Sequence, residues 1–176
     1  MLRSSEISNV TSLNGMFTNC YLQSFTVDFT NFDTSLIQNF GKLFNNCEKL
    51  VGADIAWSTL NVTSNATYIG QMFLDCYTLD PVDVSGFVTT NITSFYQMFW
   101  NCLALTSLDV STFDTSGAND LYGMFRACTS LATLDVSTFD TSNIEYMDYM
   151  FEQMTQDPII IGVEHWNISS VTDAYN

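Results

Sequence analysis

Two short boxes recur in register along this chain, and that repetition limits the folds open to it more than any other property. An aromatic box appears as Met16-Phe17, Leu43-Phe44, Met72-Phe73, Met98-Phe99, Met124-Phe125 and Met150-Phe151, with Phe-to-Phe steps of 27, 29, 26, 26 and 26 residues. Three residues after each Phe stands a Cys (Cys20, Cys47, Cys76, Cys102, Cys128), replaced by Met154 in the sixth copy. A second box follows the first five: Val27-Asp28-Phe29, Ala53-Asp54-Ile55, Val82-Asp83-Val84, Leu108-Asp109-Val110 and Leu134-Asp135-Val136. Three copies continue Phe-Asp-Thr-Ser, at Phe32, Phe113 and Phe139.

Within one unit the spacing predicts a strand and a helix. Leu134 and Val136 alternate with Thr133, Asp135 and Ser137, the period of a half-buried strand. Ile144, Met147, Met150, Phe151 and Met154 fall three or four apart, the stripe of a short helix with one buried face. Asn9, Asn65, Asn91 and Asn143 precede such stripes and suit the helix N-cap. Elements this short bury their apolar faces only by stacking on like units. The expected fold is therefore α/β: a leucine-rich-repeat-like solenoid of about six 26-residue strand–turn–helix units with one parallel sheet, filling residues 1–176 as a single domain. The extra residues of the long step are placed at 58–65, as a bulging loop. Further slips fall near Gln23 and after Met154. Both ends look uncapped, which suits a segment of a longer array or head-to-tail stacking of identical chains through the open ends.

The unit running from Cys102 to Phe125, and again from Cys128 to Phe151, resembles the 26-residue repeat of BspA-type leucine-rich-repeat surface proteins, the kind also seen in mycoplasma lipoproteins. The resemblance covers essentially the whole chain. It implies a leucine-rich-repeat-like solenoid on a cell surface, extracellular, often associated with adhesion. The departures are the 58–65 insertion, Leu43 in place of Met, and Trp166 in the degraded last unit.

Charge narrows the partners. Nineteen acidic residues against four basic ones give a formal net charge of -15. Nucleic acid needs clustered Lys or Arg, and none cluster here. No stretch is apolar for long enough to insert into a membrane. Cations, polar carbohydrate or a basic protein surface remain. Asp28, Asp54, Asp83, Asp109 and Asp135 form one column, closed by Gly162. Equivalent residues on neighbouring strands lie about 4.8 Å apart, so the column either recruits a hard cation, with Ca²⁺ the candidate, or reads a hydroxyl-rich glycan. Alternatively each carboxylate serves its own turn. Asp33, Asp114 and Asp140 suit turn capping.

Five sequons, at Asn9, Asn61, Asn65, Asn91 and Asn167, are candidate glycosylation sites. The cysteines, 26 residues apart with His165 the only histidine, fit no zinc spacing and read as a buried thiol ladder. There is no nucleophile elbow, phosphate loop or second histidine, so no catalytic residue and no cofactor is expected. The chain reads as a non-enzymatic module for adhesion or for protein or glycan binding on the strand face. The alternatives are a building block of a filament or large complex, and a calcium-dependent glycan binder.

Overall fold

A computed structural model of the chain describes residues 9–21, 26–155 and 157–173. The slip expected near Gln23 lies outside them. The organising element is an arc of eight residues around each Met-Phe box: 13–20, 40–47, 69–76, 95–102, 121–128 and 147–154. In every arc two residues four apart take left-handed backbone, with φ from 52° to 67°: Gly15 and Asn19, Lys42 and Asn46, Gln71 and Asp75, Gln97 and Asn101, Gly123 and Ala127, Tyr149 and Gln153. Left-handed residues do not fit a right-handed helix, and the arc folds as consecutive turns.

The fourth arc shows how its hydrogen bonds divide. Met98, Trp100 and Cys102 donate back three residues, to Phe95, Gln97 and Phe99 carbonyls at 3.1, 3.3 and 3.1 Å. Phe95, Gln97, Phe99 and Asn101 donate forward, to Asp120, Tyr122, Met124 and Arg126 at 2.8–2.9 Å. Tyr96 N–H is taken by Ser94 Oγ at 3.2 Å. All eight backbone donors are thus satisfied without a helix, as buried amides require. Parallel bridges link the arcs in one line, Ser12 to Asn39, Tyr68, Ser94, Asp120, Tyr146 and Asp173.

The expected α/β solenoid of six strand–turn–helix units is overturned by these observations. The described residues hold no α-helix; their helical pieces are the three-residue 3-10 turns Gly52–Asp54, Trp57–Thr59 and Val163–His165. Among the described residues the one sheet is two-stranded and parallel, β1 (Thr133–Asp135) against β2 (Ile159–Ile161), and the other pairings are isolated bridges. The helix fails because of the left-handed residues. In each of three copies the Asp of the second box ends the extended stretch in a turn: Ser85, Ser111 and Ser137 each donate N–H to the Asp two residues before, at 3.0, 2.9 and 2.9 Å. Nor is Asn an N-cap. Asn91 and Asn143 amides donate across to Ser64 and Ser116 carbonyls, at 2.7 and 2.8 Å, and Asn65 does the same to Ser35.

The residues expected in the helical stripe are nevertheless the buried ones. Ile92, Phe95, Met98, Phe99, Cys102 and Leu105 are fully buried, because a spacing of three suits a chain of turns as well as it suits a helix. Through the middle runs a column of rings, Phe17, Phe44, Phe73, Phe99, Phe125, Phe151 and Trp166. Successive centroids lie 5.4–6.1 Å apart, and the rings are within 23° of parallel.

The region of the long step is only partly drawn into this core: the 3-10 turns Gly52–Asp54 and Trp57–Thr59 lead into it and Leu60 and Val62 are buried, while Ser58, Asn61, Ser64 and Asn65 stay exposed. The Trp57 indole N–H donates to Gly52 O at 3.0 Å, and its ring lies 5.9 Å from Phe73. Gly52 has no room for a side chain: a Cβ there would sit 1.8 Å from Pro81 O.

Candidate functional site

The carboxylate column is shorter and more self-contained than the repeat suggests. Val27 bridges to Ile55, not to Ala53, which levels Asp28 with Ala56 and separates it from Asp54. At the other end Asp135 pairs with Ile161, so Ile161, not Gly162, closes the column. Asp54 turns back to accept Val51 N–H at 3.1 Å. What remains in line is Asp83, Asp109 and Asp135, all exposed.

Each of these closes its own turn. Asp83 Oδ1 accepts Ser85 N–H and Ser85 Oγ at 3.0 and 2.6 Å; Asp28 treats Thr30 likewise at 2.7 and 2.6 Å. The hydroxyl of Ser85, Ser111, Ser137 or Thr30, and next the same residue's N–H, hold the four carboxyls below the usual Asp value of 3.8. Asp109 opposes this weakly at both Asp83 and Asp135 by like-charge repulsion. Asp33, Asp114 and Asp140 cap turns in the same manner, accepting from Ser35, Ser116 and Ser142 at 2.9–3.0 Å. Among the described residues no three His, Cys, Asp or Glu side chains gather where they would hold a metal ion.

All five sequon asparagines are exposed. Two of them, Asn65 and Asn91, already spend an amide hydrogen on a neighbouring carbonyl. The cysteines are free, four of them buried. The thiols of Cys47, Cys76, Cys102 and Cys128 donate to the carbonyls of Phe17, Phe44, Phe73 and Phe99 at 2.9–3.3 Å. Burial pushes the Cys47 and Cys128 thiols up to about 11 and about 12, and raises Cys76 and Cys102 well above the usual range. These are structural thiols with no thiolate at neutral pH.

Two groups of residues escaped the reading of the sequence. The first is a file of buried threonines two residues after a Phe, Thr115 and Thr141 from the Asp-Thr-Ser box and Thr89 at the same place in Val88-Thr89-Thr90. Thr89, Thr115 and Thr141 donate to the carbonyls of Asp114, Asp140 and Asn167 at 3.1, 2.9 and 3.0 Å. Thr89 and Thr141 accept the N–H of Asp114 and Asn167 in return, at 2.7 and 2.8 Å. The recurrence of Thr at that place was the available signal.

The second group lies on the outer side of the arcs. Tyr96 stacks on Tyr122 with centroids 5.3 Å apart, and Tyr122 meets Tyr149 edge-on at 5.5 Å. The Arg126 guanidinium sits 4.3 Å over the Trp100 ring and 4.9 Å over Tyr149, with Nε 2.6 Å from Glu152 Oε2. Beside Trp100 an open depression of about 220 Å³ is lined by Leu74, Asp75, Gln97, Trp100 and Asn101. Nothing in the repeat consensus marks these positions, because the column that holds Leu74, Trp100, Arg126 and Glu152 has a different residue in each arc.

No helix among the described residues is long and apolar enough to cross a membrane. Two overlapping segments, 2–70 and 67–176, match one family model, described as Mycoplasma protein of unknown function, DUF285. No curated protein and no solved structure matches the chain.

Proposed function

We propose that this chain, which belongs to the DUF285 family of mycoplasma-type repeat proteins, is a non-enzymatic, surface-displayed module that binds a protein or glycan partner. The resemblance of its unit to the BspA-type repeat supports a surface location and adhesion. The observation that carries the reading is the row of Asp83, Asp109 and Asp135. Three exposed carboxylates recur at 26-residue intervals, each fixed by its own turn and kept ionised by it. A rigid row of like charges on a chain with net charge -15 favours a basic protein surface by steering and by register. A calcium-dependent variant of the reading draws no support from a row that gathers no three ligands among the described residues.

The test is an array of immobilised basic proteins and glycans probed with the purified chain and with the Asp83→Asn, Asp109→Asn, Asp135→Asn variant. Saturable binding to one class, weakened at least about tenfold in the variant, is the expected outcome. Equal binding by variant and parent, or none by either, sinks the reading.

A further inference from the structure

We infer that the depression between Leu74 and Trp100 is a receptor for a guanidinium group, the side chain of an arginine presented by a basic partner. It uses none of the carboxylates of the row above, and so stands or falls separately from it.

The protein itself displays the chemistry. On one side of Trp100 the next arc supplies Arg126, whose guanidinium lies 4.3 Å over the indole, flanked by Tyr149 and paired with Glu152. On the other side the preceding arc supplies Leu74 at the same position, and Leu74 is too short to cover the ring. The result is the depression of about 220 Å³, far above the ~10–15 Å³ that a single water needs. An indole face is the best aromatic surface for a cation, and arginine stacks on it with its plane.

The counter-charge is also in place. Asp75 lines the depression, and its Oδ1 accepts Asn101 Nδ2 at 2.6 Å. That bond orients the carboxylate, and with the Tyr77 phenol as a further partner it still leaves about half of the roughly four lone-pair sites a carboxylate offers. The local potential is negative: the Tyr77 phenol is pushed up first by burial and then by the charges of Asp75 and Glu48. Gln97, only 7% exposed, is held by Gln71 Nε2 at 2.8 Å from its Oε1, and forms the floor. Aromatic face, carboxylate and amides therefore surround the space as Trp100, Tyr149 and Glu152 surround Arg126. A neutral sugar would use the ring and the amides but would leave the carboxylate's charge unmatched, whereas a guanidinium uses all three.

The experiment is an NMR titration of the whole chain in about 150 mM salt, where the Debye length is about 8 Å and diffuse attraction is muted. The probe is the capped tripeptide Gly-Arg-Gly, with capped Gly-Lys-Gly and a chitin trisaccharide as comparators. The indole N–H of Trp100 is expected to shift saturably with the arginine peptide, while those of Trp57 and Trp166 stay. Binding should be at least about threefold tighter for arginine than for lysine. Asp75→Asn should weaken it at least about fivefold, and Leu74→Trp, which fills the space, should abolish it. Asp109→Asn removes the same charge elsewhere and should change it less than about twofold. Backbone spectra that overlay with the parent's establish that each variant folds. Three results overturn the proposal: equal losses from Asp75→Asn and Asp109→Asn, binding that survives Leu74→Trp, or a Trp100 shift with the sugar and not with arginine.

Discussion

At the scale of single residues, the hydroxyl of Thr115 shows how much one atom holds. It is fully buried and donates to Asp140 O at 2.9 Å, tying two turns that lie 25 residues apart. Thr115→Val keeps the shape and leaves that carbonyl unpaired, so it should cost about 1–3 kcal/mol in urea unfolding. Thr115→Ser, which keeps the donor, should recover most of it. The turn-closing carboxylates give a pH signature. Asp83 and Asp135 have folded values below the unfolded 3.8. Their contribution is therefore complete above about pH 4 and is lost as pH falls through the lower folded values. The Asp83→Asn, Asp135→Asn variant should melt below the parent at pH 7, and the gap should narrow as pH falls below about 4. A gap that stays constant with pH would show that these turns do not depend on ionisation.

At the scale of the element, the arc separates what the sequence reveals from what it hides. The buried set was legible: Ile144, Met150 and Met154 are in the core, and Leu134 with Val136 alternates with exposed neighbours. The backbone that buries them was not. Spacings of three and four are shared by a helix and by consecutive turns. The first left-handed position of each arc holds Lys42, Gln71, Gln97 and Tyr149 as well as Gly15 and Gly123, so no residue type announces it. The second, held by Asn19, Asn46, Asp75 and Asn101 in four arcs of six, did carry the Asn and Asp preference for left-handed backbone. The site followed the same rule. Asp83, Asp109 and Asp135 align on the repeat alone, while the two-residue slip that removes Asp28 depends on which residue Val27 meets. Ala127 makes the point testable. At φ 56° it is strained, so Ala127→Gly should raise stability by about 0.5–1 kcal/mol. In a helix the same change would lower it by about 1 kcal/mol. The sign of the shift in the urea midpoint decides.

At the scale of the whole molecule, the ring column joins every arc to the next, and its members are not equivalent. Phe99 is fully buried between Phe73 and Phe125, whereas Phe17 is partly exposed. Phe99→Ala should cost about 3–5 kcal/mol, the range for a large buried ring. Phe17→Ala should cost clearly less by the same denaturation measurement. The four buried thiols report on the same integrity. They should resist a thiol reagent at pH 8 in the native chain and react fully once urea unfolds it, because their raised pKa values come from burial.

The forward donation of the fourth arc recurs in the first, second, third and fifth, and it gives the molecule an electrical direction. The peptide between Tyr122 and Gly123 takes Gln97 N–H on its carbonyl and passes its own N–H to Asp148. Met98–Phe99 and Met124–Phe125 do the same in their file. Each peptide unit carries a dipole of about 3.5 D, and aligned units add. Four parallel files of amides therefore point their N–H ends toward later residues, against the fewer that point back, such as Asn119 to Thr93. The stack is polarised along its length with its positive pole toward the C-terminal side, the reverse of an α-helix, whose positive pole is at its N-terminus.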